Sequence, residues 1–289
     1  MANIKKRVKK RLPLAIIFLI LVIGIAVLMY PVLSNWISVY TSKVEISSYD
    51  KTVKELDNSQ IENLWQDAHD YNTALANRNG DELSALDYNK QLSVNEVMGY
   101  IDIPKINVYL PIYHGTSEEV LQKGIGHIDT TSLPVGGSST HSVLSGHTGL
   151  PSAELFTDID QLEVNDVFYI HVLGEVLAYK VDQIKIVLPE EDDDIQIVQG
   201  EDYVTLLTCT PYGINDHRLL VRGTRIPYDV EQEDIIQNQP SASQSEEQMI
   251  PVETILWCGI IILVLFVIIV ILLILFLPGR KKRRKNKNP

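Results

Sequence analysis

The fold turns on residues 203–227, YVTLLTCTPYGINDHRLLVRGTRIP. Two runs rich in Val, Leu, Thr and Tyr, YVTLLTC and RLLVRGTRIP, flank Thr210-Pro211-Tyr212-Gly213, a turn signal, so the segment reads as two neighbouring strands. Working outward, the same texture begins near Val97, with MGYIDIP, NVYLPIYHG, HSVLSGH, DVFYIHVLG and VLAYKVDQIKIVLP punctuated by Gly and Pro. Short strands at this spacing predict a sandwich or a barrel. At the end of YVTLLTC stands Cys209, at the mouth of a strand, where a side chain is held rigidly and is still reachable.

The rest of the chain says which side of a membrane that thiol faces. Leu12–Leu33 and Thr254–Leu277 are uncharged runs of 22 and 24 residues. Each is long enough for the roughly 20 residues that cross a bilayer as a helix. The first is longer than a signal-peptide core and has no A-x-A site after it, which predicts a retained anchor. The tails MANIKKRVKKR and PGRKKRRKNKNP hold 6 and 7 of the 25 Lys and Arg, whereas all 37 acidic residues lie between the two runs. Basic flanks stay inside, so both termini are expected in the cytoplasm and residues 34–253 outside the cell. The external part is strongly acidic, which excludes a basic surface for nucleic acid. Cys258, the other cysteine, lies in the second run as a small apolar residue or a lipidation site, so no disulfide is available to Cys209.

The expected organisation is a cytoplasmic tail (1–11), a transmembrane helix (12–33), a helical segment with a lid (34–96), a catalytic domain (97–229), a polar linker (230–253), a second transmembrane helix (254–277) and a cytoplasmic tail (278–289). Val53, Leu56, Ile61, Leu64, Trp65, Ala68, Tyr71 and Leu75 form one apolar stripe at helical spacing. Residues 77–96, which break at Gly80, read as a loop.

A lone external thiol is either inert and buried or a nucleophile. As a nucleophile it must become a thiolate, from a free pKa of about 8.5, with a base and a cationic neighbourhood. Arg218, Arg222 and Arg225 lie on the following strand, and period-2 alternation places Arg218 and Arg222 on one face. Seven histidines could carry the proton: His69, His114, His127, His141, His147, His171 and His217. His147, in SGHTGLP (145–151), follows a strand as Cys209 does. His127, His141 and His147 form no tight metal-ligand pair. PEEDDDIQ (189–196) reads as a solvated acidic loop rather than a calcium site, lacking the alternating ligands and mid-loop Gly of an EF-hand. LPVGG (133–137) reads as a strand-connecting loop.

TLLTC (205–209), with SGHTGLP upstream and an Arg on the strand after the Cys, resembles the signature of sortases. GIGHIDTTSLPVGGSSTHSVLSGHTGLPSAELFTDID (124–160) and CTPYGINDHRLLVRG (209–223) are similar to class C, the pilus-assembling subgroup, as is a C-terminal span. The resemblance takes in roughly residues 50 to 277. It implies a mainly β fold: a closed eight-stranded barrel with N-terminal helices and a lid loop, flanked by two transmembrane helices. It also implies cysteine transpeptidase activity without cofactor or metal, with Cys209 as nucleophile, His147 as general acid and base, and Arg218 as the oxyanion or substrate-aligning cation. The partners implied are pilin subunits bearing LPXTG-like sorting signals, an acceptor Lys of a second pilin, and the cytoplasmic membrane of a Gram-positive cell. Attachment of proteins to peptidoglycan, and a non-catalytic pilin-docking adaptor, are the alternatives.

The resemblance further implies an Asp-Pro-aromatic lid whose Asp meets the catalytic Arg and whose ring covers the Cys. SALDYNKQL (84–92) is the matching stretch, with Tyr88 in place of Pro and Asn89 at the aromatic position. The expectation is that Asp87 pairs with Arg218 and Tyr88 packs toward Cys209, in a lid less preorganised for want of Pro.

Overall fold

The computed structural model describes residues 2–228, with side chains from Leu19 onward. The expected linker, second span and C-terminal tail lie outside the described residues. The chain divides into two compact units, and the barrel belongs to the unit that begins at Pro31.

Helix α1 (Ala2–Glu55) is continuous. Within it an 18-residue window of mean hydropathy 2.1 has none of its residues buried, so one described helix is long and apolar enough to cross a membrane. Further on, α1 packs side chains inward. Ile46, Tyr49 and Val53 are buried, and the Tyr49 hydroxyl donates to the Met98 carbonyl (3.3 Å) and accepts from Leu173 N–H (2.8 Å).

Helix α2 (Asn58–Ala76) starts at a capping box. Asp57 accepts from Gln60 N–H at 2.8 Å, and the Gln60 side chain accepts from Asp57 N–H at 3.0 Å. The predicted stripe packs inward through Ala68 and Tyr71, with Ile61, Leu64, Trp65 and Leu75 at its margin. The stretch expected as a loop contains a short helix, α3 (Gly80–Ala85), and a 3₁₀ turn (Tyr88–Lys90). A local cap explains α3. The Asn79 side chain accepts from Glu82 N–H and donates to the Glu82 carboxylate, satisfying helix-start donors without any apolar stripe.

The strands are β1 (Val97–Ile103), β2 (Val108–His114), β3 (Ile125–His127), β4 (Thr140–Ser145), β5 (Val167–Val172), β6 (Glu175–Val187), β7 (Asp202–Thr210) and β8 (His217–Ile226), with helix α4 (Glu118–Lys123) between β2 and β3. They close into a barrel in the order β1-β2-β3-β4-β7-β8-β6-β5. The expected eight-stranded barrel is therefore observed. Its interior is filled by Ile101, Ile112, Ile125, Leu144, Phe168, Tyr179, Leu206 and Val221, all buried. Two parallel pairs, β2–β3 and β4–β7, interrupt an otherwise antiparallel sheet. The second matters most, because it sets two strands that end at the same rim side by side.

Candidate active site

Cys209 is the penultimate residue of β7 and is half-buried. In the antiparallel β7–β8 pair its partner is Arg218. Directly opposed residues point to one face with Cβ atoms about 4.5–5.5 Å apart, so thiol and guanidinium share a face of the rim. Arg218 Nη1 donates to the carbonyls of Asn215 (3.2 Å) and His217 (3.0 Å), which steers the group back over its own turn.

His147 comes in from the other side. The parallel β4–β7 register ends at Ser145↔Leu207. It is carried one step further by Gly146 N–H to the Leu207 carbonyl (3.0 Å) and by the Thr208 hydroxyl to the Gly146 carbonyl (2.7 Å). Two residues past Ser145 and two past Leu207 are His147 and Cys209, so the register sets them level. Only glycine fits at 146, since a Cβ there would lie 2.7 Å from the Phe156 ring and 2.8 Å from Ile125 Cδ1. Phe156 N–H then binds the His147 carbonyl at 3.1 Å and fixes the turn. The imidazole is 27% exposed, yet its Nε2 is buried with no hydrogen-bond partner among the described residues. Glu118 Oε2, on α4, stands 3.6 Å from it.

Arg222, which period-2 alternation left level with Arg218, is occupied. It forms a bidentate pair with Asp182 (3.0 and 2.7 Å) and lies over the Tyr203 ring at 4.2 Å. Its β7 partner is Thr205, four residues from Cys209, or about 13 Å along the strand. Arg225 likewise faces Asp202 at 3.8 Å.

The remaining histidines are held elsewhere. His127 Nε2 donates to the Ser132 carbonyl (2.8 Å), which leaves Nδ1 to accept from the Tyr88 hydroxyl (2.9 Å). Burial, against a hydrogen bond that favours the proton, lowers its pKa to about 4. His141 is held between the Gln196 carbonyl (2.9 Å) and the Thr205 hydroxyl (2.7 Å), and burial lowers its pKa. His171 stacks on Tyr100 at 4.4 Å, and burial lowers it to about 4. His114 binds the Gln91 carbonyl (2.7 Å), His69 stacks on Trp65, and His217 pairs with Asp216. In the acidic loop, Asp194 pairs with Lys185, whose hydrogen bond is the main cause holding that carboxyl below its ordinary range.

The lid expectation needs correcting. Asp87 does not pair with Arg218; its carboxylate accepts from Asn89 N–H at 3.1 Å and faces Lys90 at 3.4 Å. Tyr88 does not pack toward Cys209. Its ring lies among Tyr71, His114 and His127, and its hydroxyl accepts from Gly115 N–H at 3.0 Å. The cause is satisfaction of polar groups. A buried phenol needs partners, and His127 with Gly115 offers an acceptor and a donor, whereas Asp87 at the start of a 3₁₀ turn finds backbone N–H locally.

What the sequence reading missed lies on the β7–β8 loop. Tyr212 and Ile214 are 70% and 68% exposed. The Tyr212 ring lies so close to Gly149 (φ +69°) that a Cβ there would be 2.8 Å from it, which joins the cysteine loop to the histidine loop. Two large apolar residues in a turn beside a nucleophile were the available signal.

The arrangement offers a thiol, an imidazole and a guanidinium at one rim of a rigid barrel, the parts of covalent acyl transfer. A family model described as "Sortase domain" matches residues 101–226. Among curated proteins, sortase D of Bacillus subtilis (strain 168) is 29% identical over 134 residues, 45% of this chain, and the chain spans 65% of that relative's length. Among solved structures, sortase C1 of Streptococcus agalactiae is 50% identical with a TM-score of 0.61, over 64% of this chain and 99% of that one. Sortase C of Clostridium perfringens, solved with the C-terminal cell wall sorting motif, is 48% identical with a TM-score of 0.58, over 64% of this chain and 99% of that one.

Proposed function

Because this chain belongs to the sortase family of cysteine transpeptidases, we propose that Cys209, His147 and Arg218 are its catalytic residues and that its products are joined pilin subunits. The observation that carries the reading is the convergence of two registers: Cys209↔Arg218 across β7–β8, and β4–β7, which ends at Ser145↔Leu207 and, extended two residues, brings His147 level with Cys209. The class C neighbours, about half identical over nearly their whole length, support the pilin substrate.

The chemistry this reading assigns is acyl transfer through the thiol. His147 takes the thiol proton, and the Cys209 thiolate attacks the Thr carbonyl carbon of an LPXTG-like signal. Arg218 stabilises the charge that develops on that oxygen. The tetrahedral intermediate collapses as His147 returns its proton to the departing Gly amine, leaving the pilin acylated on sulfur. The ε-amine of a Lys on a second pilin then attacks the thioester and gives up its proton to His147, and the thiolate leaves. One amide is broken and one isopeptide formed, so the thioester carries the bond energy across and no nucleotide is needed.

Both tails would be cytoplasmic and the barrel external. The basic flanks of the two apolar runs support this topology, with domain boundaries at 34, 97 and 230.

The test is mass spectrometry of the solubilised enzyme mixed with a peptide carrying an LPXTG motif. The parent should gain the acyl mass on Cys209, and a pilin domain should discharge it as an isopeptide. Cys209→Ala and His147→Ala should each lose at least about a thousandfold in transfer with unchanged folding. A Cys209→Ala enzyme at half activity would sink the assignment, and discharge only by peptidoglycan precursors would move it to the anchoring class.

A further inference from the structure

The proposed roles leave one contact unexplained. His147 Nε2 is buried and unbonded, and Glu118 Oε2 is aimed at it from 3.6 Å. That distance is too long for a hydrogen bond and short for an opposite charge. Catalytic hydrogen bonds are often long before substrate is bound and tighten in the complex. The carboxylate is itself held, because Gln122 Nε2 donates to its other oxygen, Oε1, at 2.9 Å, one helical turn further along α4. Gln122, Glu118 and His147 thus form a line ending at the imidazole, with the amide fixing the carboxylate and the carboxylate facing the ring.

We infer that Glu118 is a positioning residue for His147, stabilising its imidazolium form and turning Nε2–H toward α4, so that Nδ1 exchanges the proton with Cys209 and with the amines. This rests on the transpeptidase reading above. The step is a proton transfer only. The thiol proton moves to His147, the imidazolium is held against the Glu118 carboxylate, and no proton passes on to the carboxylate. A base oriented by a third group is a recurrent arrangement in nucleophilic catalysis. Among the described residues, Glu118 on α4 is the acid within 4 Å of the imidazole, and Arg218 on β8 is the cation opposite Cys209 on β7. Its neighbour Glu119 pairs with Lys123 (3.3 Å) instead and supplies an internal control.

The size of the effect is bounded from above. An opposite charge within about 4–6 Å favours the charged form of its partner. The Glu118 side chain is 71% exposed, and solvent screening weakens such a pair. The expected effect is therefore at most about fivefold in rate, not the thousandfold expected for His147 itself.

The experiment uses the full chain in detergent with two readouts. The first is the pH profile of Cys209 alkylation by iodoacetamide, read on the Cys209 peptide so that Cys258 does not contribute. The second is kcat and KM for transfer from a peptide carrying an LPXTG motif. In Glu118→Gln, alkylation at neutral pH should fall by up to about fivefold against its own alkaline plateau. kcat should fall by a similar factor with KM unchanged, and the alkaline limb of the activity profile should move to lower pH. Glu118→Asp should recover part of the loss, Gln122→Ala should show a smaller loss of the same kind, and Glu119→Gln should match the parent. Superimposable profiles for Glu118→Gln and parent, or equal losses in Glu118→Gln and Glu119→Gln, overturn the inference. The two failures are separable. Transfer surviving in Cys209→Ala defeats the enzyme reading, whereas a dead Cys209→Ala with an unaltered Glu118→Gln defeats this inference alone.

Discussion

Two polar regions of this barrel each contain a histidine and treat it in opposite ways. Around Tyr88 and His127 each group is matched: the phenol gives a proton to Nδ1 and takes one from Gly115, and Nε2 is spent on Ser132. At the other region, Cys209 at the end of β7 stands opposite Arg218 at the start of β8, and His147, just past β4, has a buried Nε2 left unbonded among the described residues. A satisfied buried network stiffens a fold. An unsatisfied one at a reachable rim holds capacity for a ligand or a reaction. The orphan nitrogen alone does not make the distinction, because His171 Nε2 is also buried without a partner. His171, however, is stacked on Tyr100, with no thiol opposite. What distinguishes His147 is the coincidence of an unbonded nitrogen, a half-exposed strand end and a nucleophile in register.

The arginines break or sharpen this contrast with the largest expected effect. Arg218→Lys should lower kcat/KM about a hundredfold or more, the usual cost of one oxyanion donor, because a point charge does not reproduce a planar fork of donors. Arg222→Lys should leave kcat near normal and lose about 2 kcal/mol of stability, as expected for charge-assisted hydrogen bonds to Asp182. Kinetics and urea melts of the two variants decide it. The reverse pattern would place the working cation four residues from the thiol and dissolve the register argument.

This also marks where sequence was sufficient and where it was not. Strand-end placement of Cys209 and His147 could be read directly, since apolar runs stop at turn residues in TLLTCTPYG and SVLSGHTG. Arg218 and Arg222 could not be separated by period, because pairing with Asp182 on β6 is a contact between distant segments. Seven strand runs stood out in the sequence, but β3, three residues long, is too short to show alternation and exists through its pairing with β2 and β4. The lid expectation failed for a related reason. It followed local sequence at Asp87-Tyr88, while the ring's position is set by His114, Gly115 and His127, which lie 26 or more residues further on. Glu118 was invisible for the same cause, as nothing in SEEVLQK indicates that one of two adjacent glutamates meets a histidine.

The buried histidines outside the site should respond to pH in stability rather than in rate. His127 and His171 have folded pKa values near 4 against an ordinary 6.5, both through burial. Between those limits the unfolded chain binds protons that the folded chain does not. Stability is therefore full above about pH 6.5, falls as the pH drops toward 4 and levels off below it, by up to about 3 kcal/mol per histidine. Tyr88→Phe should remove about 1–3 kcal/mol at neutral pH, by leaving His127 Nδ1 and Gly115 N–H without their partner, with kcat unchanged. Denaturant melts at pH 7 and pH 5 read both effects. A flat profile would mean that water reaches these rings, and a kcat loss in Tyr88→Phe would tie the matched region to the reaction.

The smallest effect belongs to Asp87, and its value lies in being small. The carboxylate is about half exposed and faces Lys90 within one turn. Exposed pairs of this kind contribute less than about 1 kcal/mol. If the 84–92 stretch were a cover over the thiol, Asp87→Ala would free it and a small thiol reagent would label Cys209 faster. With Asp87 bonded locally and Tyr88 docked among His114 and His127 instead, removing the carboxylate leaves the approach to Cys209 as it was. Labelling rates of Asp87→Ala and parent should agree within about twofold, the change that a few tenths of a kcal/mol allows. The informative partner is Tyr212→Ala. Its ring is the one packed on Gly149 beside the histidine loop, so shortening it should speed labelling where Asp87→Ala does not. Faster labelling in Asp87→Ala with none in Tyr212→Ala would return the cover to residues 84–92 and leave the β7–β8 loop as a spectator.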